Sequence, residues 1–275
     1  MNAVIFLASI GFLLPFAAHV FAFRRFSRRI QVRTEALRSS PPARWRDDLP
    51  PPVAAFARRC GAGAQDRSSP SAARFSQRAD LRLAQGAPFH PIRAEQHVAL
   101  GGAGFAWDAS RWIGPFRSFR VIDAYDSVLG GMLEARLLGS LAVASKSGSD
   151  IALGEALRYL AELPWAPDAI LGNPAIAWRI TGDRSAEAAL SLPEGTARVS
   201  FGFDEAGDIE TVEAKDRPAF DARGRAARYD WRGRFWGYRR IGPRRIPEWG
   251  EVGYVYPEGY EVYFRGRILS YELIV

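Results

Sequence analysis

Three charged residues stand at helical spacing within the stretch Ser149 to Leu171: Glu155, Arg158 and Glu162, at i, i+3 and i+7. On a helix they form a ladder along one side, with the guanidinium between two carboxylates. Such a set can hold a polar ligand or move a proton, because the arginine tunes both acids. The same ladder on a solvated surface contributes roughly a few tenths of a kcal/mol per pair. The pattern favours the solvated surface, since Leu153, Ala156, Leu157, Leu160 and Ala161 form an apolar side that must meet the rest of the fold.

Two further groups bear on chemistry. Glu95 and His97 are two apart and share a face if their segment is a strand. With His90 nearby they suggest metal or acid–base work, but a metal needs three or four convergent ligands, and a hydrogen-bonded pair on a half-solvated face is the commoner use. Asp123 and Asp126 suggest paired carboxylates, yet an offset of three puts them on opposite faces of a regular strand. No glycine-rich phosphate loop, G-x-S-x-G elbow or H-E-x-x-H helix occurs. The lone Cys60 excludes an internal disulfide and a cysteine zinc cluster. No catalytic residue, metal or cofactor is assigned. The candidate ligand-binding set is Glu95, Glu155, Leu157, Arg158, Tyr159, Leu160, Glu162 and Trp165.

The elements that must position these residues are mostly strands. Asp150 is a suitable N-cap for the central helix, and Pro164 and Pro167 stop it. Residues 53–59 suit a short helix, and residues 61–73 read as loop. Arg93 to Leu100 and Gly104 to Ala109 read as paired strands, and Phe116 to Tyr125 alternates well. Ala197, Val199, Phe201 and Phe203 alternate with small or polar neighbours, and Asp204 to Gly207 reads as a hairpin turn. The last third is rich in aromatics, from Trp231 to Phe264, whose main use is packing and whose other use is to line an apolar pocket. Regular turn spacing with few helices predicts one antiparallel sheet, heavily curled.

Ala3 to Phe23 is an uncharged apolar run long enough to span a bilayer as a helix. A cleaved signal peptide is the competing reading. No basic residue precedes the run, however, and Arg24, Arg25, Arg28 and Arg29 follow at once. An uncleaved single-pass anchor in the inner (cytoplasmic) membrane is therefore expected, making the bilayer a partner through residues 3–23. The arginines favour a cytoplasmic domain. Residues 24–60 hold ten arginines and three acids, a net +7, which leaves 27 bases and 27 acids for residues 61–275. The basic pI thus belongs to a juxtamembrane segment, and nucleic acid is not an expected partner of the folded part.

The segments GEALRYLAELPWAP, LPPPVAAFARRCG, PFHPIRAEQHVAL, GFAWDA, VIDAYDSVLGGMLEARLLG and WRGRFWGYRRIGPRRIPEWGEV resemble, in order, a bacterial family of uncharacterised, membrane-anchored domain-of-unknown-function proteins. The resemblance covers roughly residue 45 to the end; FARRC at 56–60 departs from the family's more usual Arg-Tyr-Leu. It implies a layout like the curled antiparallel sheet of bacterial lipoprotein-carrier proteins, and by that analogy a periplasmic domain, against the charge rule.

The expectation is an α+β fold: a curled antiparallel half-barrel with a few packed helices behind one N-terminal transmembrane helix. Residues 1–23 form the anchor, 24–48 a basic segment and linker, and 49–275 a single β-rich domain. The leading function is a membrane-anchored binding domain for an apolar or lipid-like small molecule. An enzyme using the carboxylate–arginine site and a ligand-free scaffold stay open.

Overall fold

Alternating apolar and polar residues dominate the chain after Ser71, and strands form there because each can bury one face. The computed structural model describes residues 2–63, 69–193, 195–221 and 223–275; the side chains of residues 2–14 lie outside the description. Helix α1 (Asn2–Arg38) and helix α2 (Pro51–Arg59) come first. Strands β1 (Ala72–Leu81), β2 (His90–Ala99), β3 (Gly104–Ile113), β4 (Phe116–Asp126), β5 (Met132–Leu137) and β6 (Leu141–Ser147) follow. Helices α3 (Ser149–Ala161) and α4 (Pro167–Gly172) interrupt the strands. Then come β7 (Ile176–Gly182), β8 (Ser185–Leu192), β9 (Gly195–Phe203), β10 (Ile209–Phe220), β11 (Ala226–Ile241), β12 (Arg244–Tyr256) and β13 (Gly259–Ile274).

Among the described residues, thirteen strands join one antiparallel sheet in the order β6-β5-β4-β3-β2-β1-β13-β12-β11-β10-β9-β8-β7. Pairing of β1 with β13 carries the sheet across both chain ends, so its edges are β6 and β7. The segment joining those two edges contains α3. This helix lies inside the curl and touches strands from both sides, β3 to β6 on one and β8 to β10 on the other. The fold is thus the expected α+β half-barrel, with α3 across its mouth. The close approach has a local requirement: a side chain at Gly131, in the β4–β5 turn, would collide with the backbone of Ala152 at 2.5 Å.

The concave core gathers Phe75, Phe105, Trp107, Leu157, Leu160, Trp165, Phe201, Phe235 and Phe264. The convex face carries a second cluster, in which Phe26, Ile30 and Leu37 of α1 pack on Ala99, Ala106, Ile122, Ala124 and Met132. The basic stretch after residue 24 is therefore docked on the sheet. Arg29 reaches Glu134 at 2.5 Å and Arg33 reaches Asp126 at 2.6 Å.

Several local expectations are met. Residues 51–59 form α2, residues 204–208 turn between β9 and β10, and β2 pairs with β3. Asp123 and Asp126 lie on opposite faces, Asp123 toward Arg158 of α3 and Asp126 toward Arg33 of α1. Others are corrected. The N-cap of α3 is Gly148, with φ +104°, and Asp150 sits in the first turn where Arg228 takes it at 2.8 Å. Helix α3 stops at Ala161, just before Pro164 in the 3-10 turn Leu163–Trp165, whereas Pro167 does not end it but opens α4, where its missing N–H costs nothing. Helix α1 runs through the apolar segment 3–23, most of whose side chains lie outside the description. Among the described residues no helix is long and apolar enough to cross a membrane.

Candidate functional site

The face of α3 expected to be solvated is buried. Glu155 is 5% exposed and Arg158 9%, because the helix is flanked by sheet on both sides and has no outward face along Glu155 to Ala161. Two strand residues meet them. Asp123 lies between Val121 and Tyr125 in the inward phase of β4, so regular alternation points it at α3. Arg217 arrives differently. A bulge between Ala214 and Arg217 inserts an extra residue in β10, with Asp216 at φ +49°, and the altered parity turns Arg217 inward.

Arg158 donates from Nη1 to Asp123 Oδ2 at 2.7 Å and from Nε to Glu162 Oε1 at 2.8 Å. Its guanidinium lies 5.0 Å from the centre of the Phe105 ring and 4.7 Å from that of Trp107. Gln96 Nε2 donates to the second Glu162 oxygen at 2.5 Å, and Trp107 Nε1 donates to Gln77 Oε1 at 2.8 Å. Arg217 donates to the Tyr254 hydroxyl and, at 3.1 Å, to the carbonyl of Gly154, while its plane lies 4.8 Å from the Trp231 ring. Trp231 in turn donates to the Tyr263 hydroxyl at 3.1 Å.

This network is incomplete. Glu155 Oε2, Asp123 Oδ1, Gln96 Oε1, Gln77 Nε2 and Arg217 Nε are buried and have no hydrogen-bond partner. A buried polar atom left unpaired costs about 1–3 kcal/mol, which a bond to water or to a polar ligand atom would recover. Charge tells the same story. Three carboxyls, Asp123, Glu155 and Glu162, face two guanidiniums. Burial and the neighbouring Asp123 raise the Glu155 carboxyl to about 8, against the opposing pull of Arg158 and Arg217. Burial also raises Asp123, more than its ion pair with Arg158 lowers it. Burial alone would lower Arg158, but Glu162, Asp123 and Glu155 together drive it upward, so it stays charged. One proton on Glu155 makes the group neutral.

An apolar wall adjoins the charges. Trp165 stands edge-on to Phe235, ring centres 5.0 Å apart, and donates to the Pro247 carbonyl at 3.0 Å. With Ala161, Glu162, Val212, Trp231 and Phe264 these rings line a cavity of about 20 Å3, room for one water.

Of the residues singled out in the sequence, Glu155, Arg158 and Glu162 come together here, and Trp165 lines the adjoining cavity. Leu157 and Leu160 are packed core. Tyr159 points elsewhere, bonded to the Gly102 carbonyl at 3.1 Å and accepting from Asn173 at 2.9 Å. Glu95 lies on the convex face, paired with Arg74 at 2.6 Å and 3.9 Å from His97. Among the described residues no three His, Cys, Asp or Glu side chains are placed to hold a metal ion. Sequence reasoning passed over Gln77, Gln96 and Arg217 and set Asp123 aside. For Gln77, Gln96 and Asp123 a signal existed, since each is polar yet in phase with the apolar positions of its strand.

Residues 42–266 match the model of one protein family. The chain belongs to DUF6544, a family of unknown function. No curated protein matches the sequence. Solved structures with a similar layout include a putative outer membrane lipoprotein-sorting protein domain from Vibrio parahaemolyticus, 10% identical, covering 74% of this chain and 85% of its own, with a TM-score of 0.44. A DUF1329 family protein from Desulfovibrio piger is 10% identical over 81% and 92%, with a TM-score of 0.46. A LolA superfamily protein from Nitrosomonas europaea is 9% identical over 80% and 91%, with a TM-score of 0.40. These are likenesses of a curled sheet, and the chemistry of this DUF6544 member rests on its own residues.

Proposed function

We propose that the chain is a binding domain for an amphiphilic, lipid-like small molecule, held at the membrane by the helix over residues 3–23. One observation carries this reading. Five buried polar atoms without partners face the same interior as an aromatic wall of Trp165, Trp231, Phe235 and Phe264. A polar head would complete the hydrogen bonds of Asp123, Gln96 and Arg217, and an apolar tail would lie along the rings. The cavity of about 20 Å3 holds no tail while α3 is in place. Binding therefore requires α3 and the following turn to shift, and both sit between the two sheet edges. Asp123 and Glu162 side chains keep 14% exposure each, so the polar end is the approach.

The test is organic extraction of the full chain purified in nanodiscs or mild detergent, with mass spectrometry of the extract, followed by titration with a fluorescent fatty acid. Retained lipid or micromolar probe binding that weakens in Arg158→Met supports the reading. No lipid and no probe binding at micromolar protein leaves a scaffold domain. The enzyme alternative draws on the Glu155 carboxyl, which at about 8 is poised as an acid near neutral pH. Orientation follows the arginine run after residue 23, which favours a cytoplasmic domain. A phosphatase fused to Val275 should be inactive there, and strong periplasmic activity overturns that placement.

A further inference from the structure

Large apolar side chains are exposed together at two neighbouring hairpin tips. Trp112, Ile113 and Phe116 crown the β3–β4 turn, with Phe116 72% exposed. Leu137, Leu138 and Leu141 crown the β5–β6 turn. The Leu138 N–H bonds to the Ser118 carbonyl at 3.0 Å, which ties the two tips side by side. Leaving this much apolar surface in water is unfavourable by roughly 25 cal/mol per Å2, so an exposed group of this kind marks a contact surface.

Helix α1 identifies the contact. It runs along the convex face and passes the sheet at these same tips. The His19 ring and the Ser140 hydroxyl are 2.7 Å apart, and the Phe23 ring lies over Gly139, where a side chain would come within 2.8 Å of it. Beyond that point residues 2–18 continue as helix for roughly 25 Å. The apolar run of the sequence ends at Phe23, level with the tips, and exposed Arg24, Arg25 and Arg28 begin at once below it. Arg117 lies over the Trp112 ring at 4.9 Å, and a tryptophan beside a guanidinium suits the boundary between headgroups and acyl chains. Apolar tips, a basic belt and an apolar helix thus reach one level.

We propose that the β3–β4 and β5–β6 tips dock into the interfacial layer of a phospholipid bilayer beside the point where α1 enters it. This rests on the anchor reading, and it adds that the domain is held in a fixed pose against the membrane. Three points of attachment replace a single tether. The opposite end of the sheet also exposes apolar residues, Val128 and Leu129 in the β4–β5 turn, but no apolar helix leaves there, and it serves as the control.

The test uses the full chain in vesicles of phosphatidylethanolamine and phosphatidylglycerol, with an environment-sensitive dye on one introduced cysteine at a time. Native Cys60 is fully buried, and burial pushes its thiol up to about 12, so it does not compete for label. Phe116→Cys and Leu138→Cys report the tips, Phe16→Cys reports the helix, and Val128→Cys reports the far end. Blue-shifted emission at 116 and 138, quenched several-fold more than at 128 by nitroxide-bearing lipids, supports docking. A lipid signal at 16 with 116 and 138 indistinguishable from 128 overturns docking and leaves the anchor standing. A lipid signal at 116 and 138 with 16 in water supports docking and removes the anchor. All four in water overturns both.

Discussion

Where β12 begins, Arg244 grips Asp168 with Nε and Nη2 at 2.8 and 2.9 Å, and neither side chain is more than 3% exposed. Beside it Arg245 and Arg59 both reach Asp208, with Arg245 donating to its two oxygens at 2.8 and 2.6 Å. Under α3 the same residue types are assembled without that closure. Arg158 divides itself between Asp123 and Glu162, Glu155 has an unpartnered oxygen, and a third carboxyl has no guanidinium to match it. A planar fork on one carboxylate satisfies both partners, which suits a clamp joining α4 to β12. An odd number of carboxyls with open lone pairs suits a site that must accept something else. The two regions bury the same residue types and differ in pairing: a two-pronged fork in one, a divided guanidinium with open carboxylate oxygens in the other.

The comparison is broken most strongly at the clamp. Arg244→Leu leaves Asp168 buried without its fork, and unfolding of the full chain in mild detergent should show a loss of about 3–5 kcal/mol. A loss below 1 kcal/mol would mean that the clamp contributes no more than a surface pair. Leu157→Ala, in the packed core, should cost about 2–5 kcal/mol and be insensitive to pH.

Glu155→Gln sharpens the contrast through pH. The Glu155 carboxyl is raised from 4.5 to about 8 in the fold, so between those values the native state holds a proton that the unfolded chain has released. Stability from this group is full below 4.5, falls as pH rises toward 8, and is lost above it. The glutamine variant should therefore match the natural chain near pH 5 and exceed it near pH 9, by on the order of 1–3 kcal/mol. Equal pH slopes for the two proteins would mean that Glu155 is ionised throughout. Asp208 behaves in the opposite sense. Its burial is outweighed by Arg245 and Arg59, which hold it below the ordinary carboxylate range. Its contribution is complete above the unfolded value of 3.8 and is lost as pH falls through its lower folded value. The smallest effect belongs to Glu95→Gln. Its partner Arg74 is half exposed on the convex face, so melting should shift by less than about 0.5 kcal/mol and probe binding not at all. Loss of probe binding in that variant would place the ligand outside the curl.

The sequence by itself determined the strands and the sheet class, because alternation such as Ala197, Val199, Phe201, Phe203 is a local property that any half-buried strand must show. The end of α3 was legible in Pro164 for the same reason: a proline acts on its own backbone and needs no partner. The polar phase errors at Gln77, Gln96 and Asp123 were also visible, though without a reason to connect them, since they lie on three different strands. What only the tertiary structure decided was which side of α3 is outside. A helix with one apolar and one polar face packs against a single surface by default, but here the sheet curls until β4 and β10 stand on both sides, and no outer face remains along Glu155 to Ala161. Arg217 was hidden by a different cause. Its inward turn depends on one extra residue in β10, and a bulge shifts parity without leaving a mark in hydrophobic spacing. Both features arise from how distant strands close on one another, which no local pattern encodes.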